Sequence, residues 1–165
     1  MPVSPCRVRT QQIGERLASL LSTGFSGLLI AQFGIVERLA AAKDTKDMLP
    51  GVWIKPEEAT YVGSDISGLA FDVFDRFRIC YAEKIENDDD PLVAMTVAAN
   101  SIMTALGTDA TLGNLRATIG PDQVSESMPE GVEWFPPESL FLAEVGAPIR
   151  VVVVKWLVKW MNRGA

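Results

Sequence analysis

Hydrophobic and polar positions alternate most regularly in two stretches of the chain. From Leu69 to Tyr81, Leu69, Phe71, Val73, Phe77, Ile79 and Tyr81 fall on one side of an extended backbone. Asp72, Arg76 and Arg78 share the other side with Ala70 and Phe74, which is the two-residue period of a strand. Asp75 is the one odd-numbered exception. Towards the end, Val152, Val154, Trp156, Val158 and Trp160 alternate with Val151, Val153, Lys155, Leu157 and Lys159. That pattern predicts a strand covered on both faces in its first half and on one face in its second.

A different period governs Leu92, Met95, Ala99, Ile102, Met103 and Leu106, which recur at helical spacing. Pro91 suits the first turn of that helix, Asp90 its N-cap and Gly107 its C-cap. Ile13, Leu17, Leu20 and Leu21 predict an earlier helix, with Thr10 as cap and Gly24 near its end, so that residues 1–9 form an N-terminal arm. Gly27 to Met48 fits helix and strand equally badly. Val52, Ile54, Tyr61 and Val62 favour extended structure, and Pro56 marks an edge strand or a break. Gly63-Ser64-Asp65 and Ser67-Gly68 mark a turn, and Leu115 to Ile119 reads as a short strand. Residues 125–148 carry Pro129, Pro136 and Pro137 and read as a long proline-rich loop. Strands with helices segregated in sequence imply a single α+β domain, a mainly antiparallel sheet packed against helices.

Composition narrows the chemistry. With 165 residues, 48% hydrophobic and 22% charged, the chain has the make-up of one globular domain with a full core. Its formal net charge of −6 opposes adhesion to nucleic-acid phosphate. There is no histidine, which removes Ser-His-Asp and Cys-His catalysis and the commonest metal ligand. No phosphate-binding glycine loop, nucleophile elbow or EF-hand pattern occurs. Cys6 and Cys80 lack metal-ligand spacing and are expected to be thiols. The run Asp88-Asp89-Asp90 offers carboxylates to a hard cation, but adjacent residues seldom converge on one ion, and a solvated loop with a helix cap explains it. The expectation is a protein without catalytic residues, cofactor or metal. Were it an enzyme, Asp72, Asp75, Glu83 and the aspartate run would be the residues to nominate.

Localisation follows by the same route. The basic N-terminus runs into the polar Thr10-Gln11-Gln12, so no signal-peptide core follows it, and the chain is expected to stay where it is made. The apolar run Ile149 to Met161 contains Lys155 and Lys159 and falls short of the roughly 20 residues of a membrane helix. Contacts between subunits are sought among the aromatics. Trp134, Phe135 and Phe141 sit in the proline-rich stretch; Trp156 and Trp160, four apart on one strand face, suit core packing first and a subunit contact second.

In order, the elements are the helix around Ile13-Leu17-Leu20, the segment Met48-Leu49-Pro50-Gly51-Val52-Trp53-Ile54, the strand from Leu69 to Glu83, and the helix from Pro91 to Leu106. The passage Leu112-Gly113-Asn114-Leu115-Arg116 and a valine-rich closing strand follow. This order resembles the tail terminator and related minor tail, or neck-region, proteins of long-tailed bacteriophages. The resemblance implies a virion structural protein, assembled in the host cytoplasm into a homo-oligomeric ring, usually a hexamer. Such a ring caps the tail tube, meets the tail tube protein and the head-side connector protein, and lets DNA pass through its lumen without specific binding. Another neck, tail-completion or head-closure protein would share this order. From other classes, a small cytosolic ligand-binding domain or an adaptor remains open, the latter recruiting a peptide through Trp134-Phe135.

Overall fold

In the computed structural model the two alternating stretches become the two longest described strands, paired along their whole lengths. Residues 5–24, 29–32, 51–63, 71–84, 91–109, 112, 123–135, 141–142 and 147–162 are described. They form α1 (Pro5–Gly24), β1 (Leu29–Gln32), β2 (Gly51–Gly63), β3 (Phe71–Lys84), α2 (Pro91–Gly107), β4 (Gln123–Phe135), β5 (Phe141–Leu142) and β6 (Ala147–Asn162). The sheet order is β1-β2-β3-β6-β4, with β5 pairing β6 off that path. β1 runs parallel to β2, and every other pairing is antiparallel. The fold is α+β, as expected.

Register assigns the faces, because directly opposed residues of antiparallel strands project to the same side. On the inner face Val73 opposes Trp160, Phe77 opposes Trp156, and Ile79 opposes Val154; all six side chains are buried. β2 adds Val52 and Ile54, and β4 adds Val124. The helices close this face. α1 contributes Ile13, Leu17 and Leu21, and α2 contributes Met95, Ala99, Ile102 and Leu106, all within one apolar cluster. The helical spacing predicted for both therefore marks their buried stripes. β6 also behaves as predicted: Val152, Val153 and Val154 are all buried, whereas Lys155 and Lys159 flank the second half on the outer face at intermediate exposure.

Two expected boundaries move. α1 begins at Pro5, so residues 5–9 of the expected arm are helical and Thr10 lies inside the helix instead of capping it. Proline is well placed at a helix start, where its missing N–H would have had no intrahelical partner. The greater correction concerns the expected loop at 125–148, much of which is strand. Pro129 is tolerated because β4 is an edge strand among the described residues, and bulges lie between Val124 and Glu126 and between Pro129 and Gly131. Pro56 is accommodated in the same way, beside a bulge in β2.

Gly24 packs against α2 so closely that a Cβ there would stand 2.6 Å from the Ala105 Cβ. After α2, the Leu112 N–H donates to the Asp109 carbonyl at 3.1 Å, and Arg16 of α1 pairs with the Asp109 carboxylate at 2.9 Å. The middle and the C-terminal end of α1 are thereby tied down. Most of Gly27 to Met48, the turn around Ser64, the aspartate run and Leu115 to Ile119 lie outside the described residues.

Candidate functional site

The five aromatic candidates separate. Trp156 and Trp160 are each 1% exposed and lie under the helices, so they are core residues and not surface ones. Each indole N–H has an acceptor. Trp156 Nε1 donates to Ser127 Oγ at 2.8 Å, and Trp160 Nε1 donates to Asp75 Oδ2 at 3.5 Å. Trp134 is 44% exposed, near the end of β4, opposite the buried Val152. Phe135 follows it in the strand opposite Val151, and Phe141 opposes Pro148 in β5. Met128, also on β4, is 38% exposed. The edge strand thus carries Trp134, next to Phe135 and near the short β5 strand.

β4 also holds the sheet's charged outer stripe. Glu133 accepts from Arg78 Nη2 and from Lys155 Nζ, both at 2.9 Å, and Arg76 Nε donates to Glu130 at 3.2 Å. Hydrogen bonding from Lys155 holds the Glu133 carboxyl below its ordinary range, and the same contact raises the Lys155 ammonium. These pairs are partly exposed and their signs are interleaved, so they align strands and present no single-sign patch. Lys159 completes the stripe, its ammonium 5.3 Å from the Phe74 ring centroid.

Of the carboxylates nominated for an enzyme, the three that are described, Asp72, Asp75 and Glu83, do not converge. Asp72 and Asp75 point to opposite faces of β3, and Glu83 is about 27 Å along the strand from Asp75 at 3.4 Å per residue. Glu83 accepts the Tyr81 hydroxyl at 2.9 Å. Asp75 is different in kind. It is 1% exposed, accepts the Thr10 hydroxyl at 2.7 Å, and has its carboxyl raised by burial while its two hydrogen bonds pull the other way. In the sequence Asp75 shows only as a break in alternation; its partner Thr10 stands 65 positions away, beyond any local pattern. Cys80 is a free thiol on the outer face opposite Val153, and burial pushes it up to about 11.

One concavity lies between the helices, an open groove of about 520 Å³ bounded by Leu20, Thr23, Val97, Asn100, Thr104 and Thr108. Its lining is hydroxyls, an amide and small apolar groups without a charge. Among the described residues no group of three or more histidine, cysteine, aspartate or glutamate side chains is placed to hold a metal, and no helix is long and apolar enough to cross a membrane. No family model matches the chain, and a search of curated proteins finds no match either.

Proposed function

We propose that the chain is a self-associating structural subunit, a tail terminator or neck-region tail protein of a long-tailed bacteriophage. It acts as one copy of a closed ring that caps the tail tube and meets the head-side connector. The observation that carries this reading is Trp134, 44% exposed on edge strand β4. Tryptophan is concentrated where binding energy is concentrated, and an edge strand also carries backbone donors and acceptors able to meet a neighbour. The succession α1, β2, β3, α2 and β6, with β1, β4 and β5 added to it, supports the specific class through the element order on which the resemblance rests. A ring needs a contact between two different patches that closes after a fixed rotation, and one edge of a sheet is suited to be the first patch.

A photoreactive amino acid at position 134 tests this reading in the assembled particle. Cross-links to a second copy or to an adjoining tail or neck protein are expected. Adducts confined to the chain's own residues would contradict it.

The uncharged groove favours a second reading, a small ligand-binding domain, because its volume falls within the roughly 300–1,000 Å³ of small-molecule sites. Stabilisation by a neutral polar ligand, lost on Thr104→Phe, would support that reading.

A further inference from the structure

The carboxyl of Asp75 is held inside the core by a helix that could uncover it. We propose that Asp75 is a proton-controlled latch for the N-terminal end of α1: with the carboxyl protonated the helix lies closed on the sheet, and with it ionised the turn carrying Arg9 and Thr10 lifts to admit water.

Asp75 projects from the inner face of β3 between Val73 and Phe77, both fully buried. Its oxygen Oδ2 accepts from Thr10 at 2.7 Å and from the Trp160 indole at 3.5 Å. Both donors are neutral. An ionised carboxyl in so dry a place needs a cation or several donors to offset lost hydration. The elements around it supply little of either. β2 presents Ala59 directly opposite and Tyr61 opposite Val73; β6 presents Val158 and Trp160; β4 presents Ser127, paired with Val158. α2 has no charged residue in its sequence. From α1 comes Arg9, whose guanidinium carbon lies 5.9 Å from the Trp160 ring centroid, over the indole. Burial accordingly raises the carboxyl above its ordinary range.

The location of the anchors confines the motion. Ile13, Leu17 and Leu21 are fully buried and fix the rest of α1, while Arg9 and Thr10 are only partly buried. Lifting the first turns hydrates Asp75 without uncovering the main apolar stripe. The opening equilibrium then gains a factor of ten for each pH unit between the carboxyl's ordinary value and its raised closed-state value, because opening releases one proton across that window, and it levels off above.

The test follows the Asp75 carboxyl carbon by NMR and amide exchange along α1 in the full chain, from about pH 4 to about pH 9, the span around ordinary carboxyl and thiol titrations. Up to the observed Asp75 midpoint, amides near Thr10 should exchange about a hundredfold faster per pH unit, the tenfold base-catalysed trend multiplied by the tenfold gain in opening. Above it opening no longer rises with pH and they should return to the tenfold trend, which amides near Leu21 keep throughout. Asp75→Asn should abolish the break in slope. Thr10→Val removes a bond made only while the helix is closed, so it should ease opening and move the midpoint to lower pH. Opening that is not linked to the carboxyl would loosen the helix and leave the midpoint in place. A carboxyl that titrates with no change of slope near Thr10, or one ionised across the range beneath a protected helix, would overturn the proposal. Should Asp75→Asn fail to fold, the wild-type titration and the Thr10→Val shift still decide it.

Discussion

Thr10 on α1 donates its hydroxyl hydrogen to Asp75 Oδ2 on β3 at 2.7 Å, across 65 positions of sequence. The bond joins a helix to the sheet's interior through a buried acid, so losing the donor leaves an acceptor without its closest partner. Thr10→Val keeps the side chain's shape and should destabilise the fold by about 1–3 kcal/mol in urea unfolding.

Asp75 also gives stability a pH dependence of definite sign. Its folded value is raised from the ordinary 3.8. Below that ordinary value folded and unfolded chains both hold the proton, and the group detracts nothing. As the pH rises towards the folded value the unfolded chain ionises first, so stability falls by about 1.4 kcal/mol per pH unit across that window and levels off above it. Asp75→Asn, which still accepts the Thr10 hydrogen bond through its amide oxygen, should remove this decline. Denaturation midpoints of both proteins against pH check it.

The contact between Gly24 and α2 is equally specific. A methyl group at position 24 would stand 2.6 Å from the Ala105 Cβ, closer than packed carbons approach. Gly24→Ala should cost about 1–3 kcal/mol by overpacking, and adding Ala105→Gly should restore part of it. Thermal unfolding of the two single variants and the double variant measures the coupling.

Ile102 lies on the face of α2 that meets the sheet and is fully buried. Ile102→Ala should cost about 2–5 kcal/mol, and Ile102→Asp should prevent soluble folding, since an unpaired buried charge costs several kcal/mol of a total near 5–15. Thr104→Asp, on the exposed side of the same helix, should leave the circular dichroism spectrum unchanged.

These residues also show how far the fold could be read from sequence. β3, β6 and α2 were legible because each keeps one period over its length, so Val73, Trp156 and Ile102 fell on buried faces. β4 was not. Its inner-face positions are Val124, Ser127, Pro129, Val132 and Trp134, spaced three, two, three and two apart because two bulges each insert a residue. No two-residue period survives, and the prolines then suggest a loop. Thr10 was misread because a threonine before an apolar helical stripe has the signature of a cap, whereas its partner stands 65 positions away. Among the aromatics, residue type could not separate Trp134 from Trp160; only the sheet's register and the helices above it place one at the edge and the other inside.

Cys80 offers a chemical readout of burial. With its thiol pushed up to about 11, only about one molecule in a thousand carries the thiolate at about pH 8. Alkylation at Cys80, followed by peptide mass spectrometry to separate it from Cys6, should be slow in the native protein and accelerate sharply in denaturant.

The central proposal, a phage-tail ring subunit with β4 at the boundary between copies, is tested most directly by cryo-electron microscopy of the tails in which that proposal places the chain. The account predicts a closed ring at the head-proximal end of the tail, with Trp134 of each copy buried against a neighbouring copy or the adjoining ring. A two-fold dimer, absence of the chain from the tail, or a ring in which residues 123–135 touch only their own subunit would contradict it.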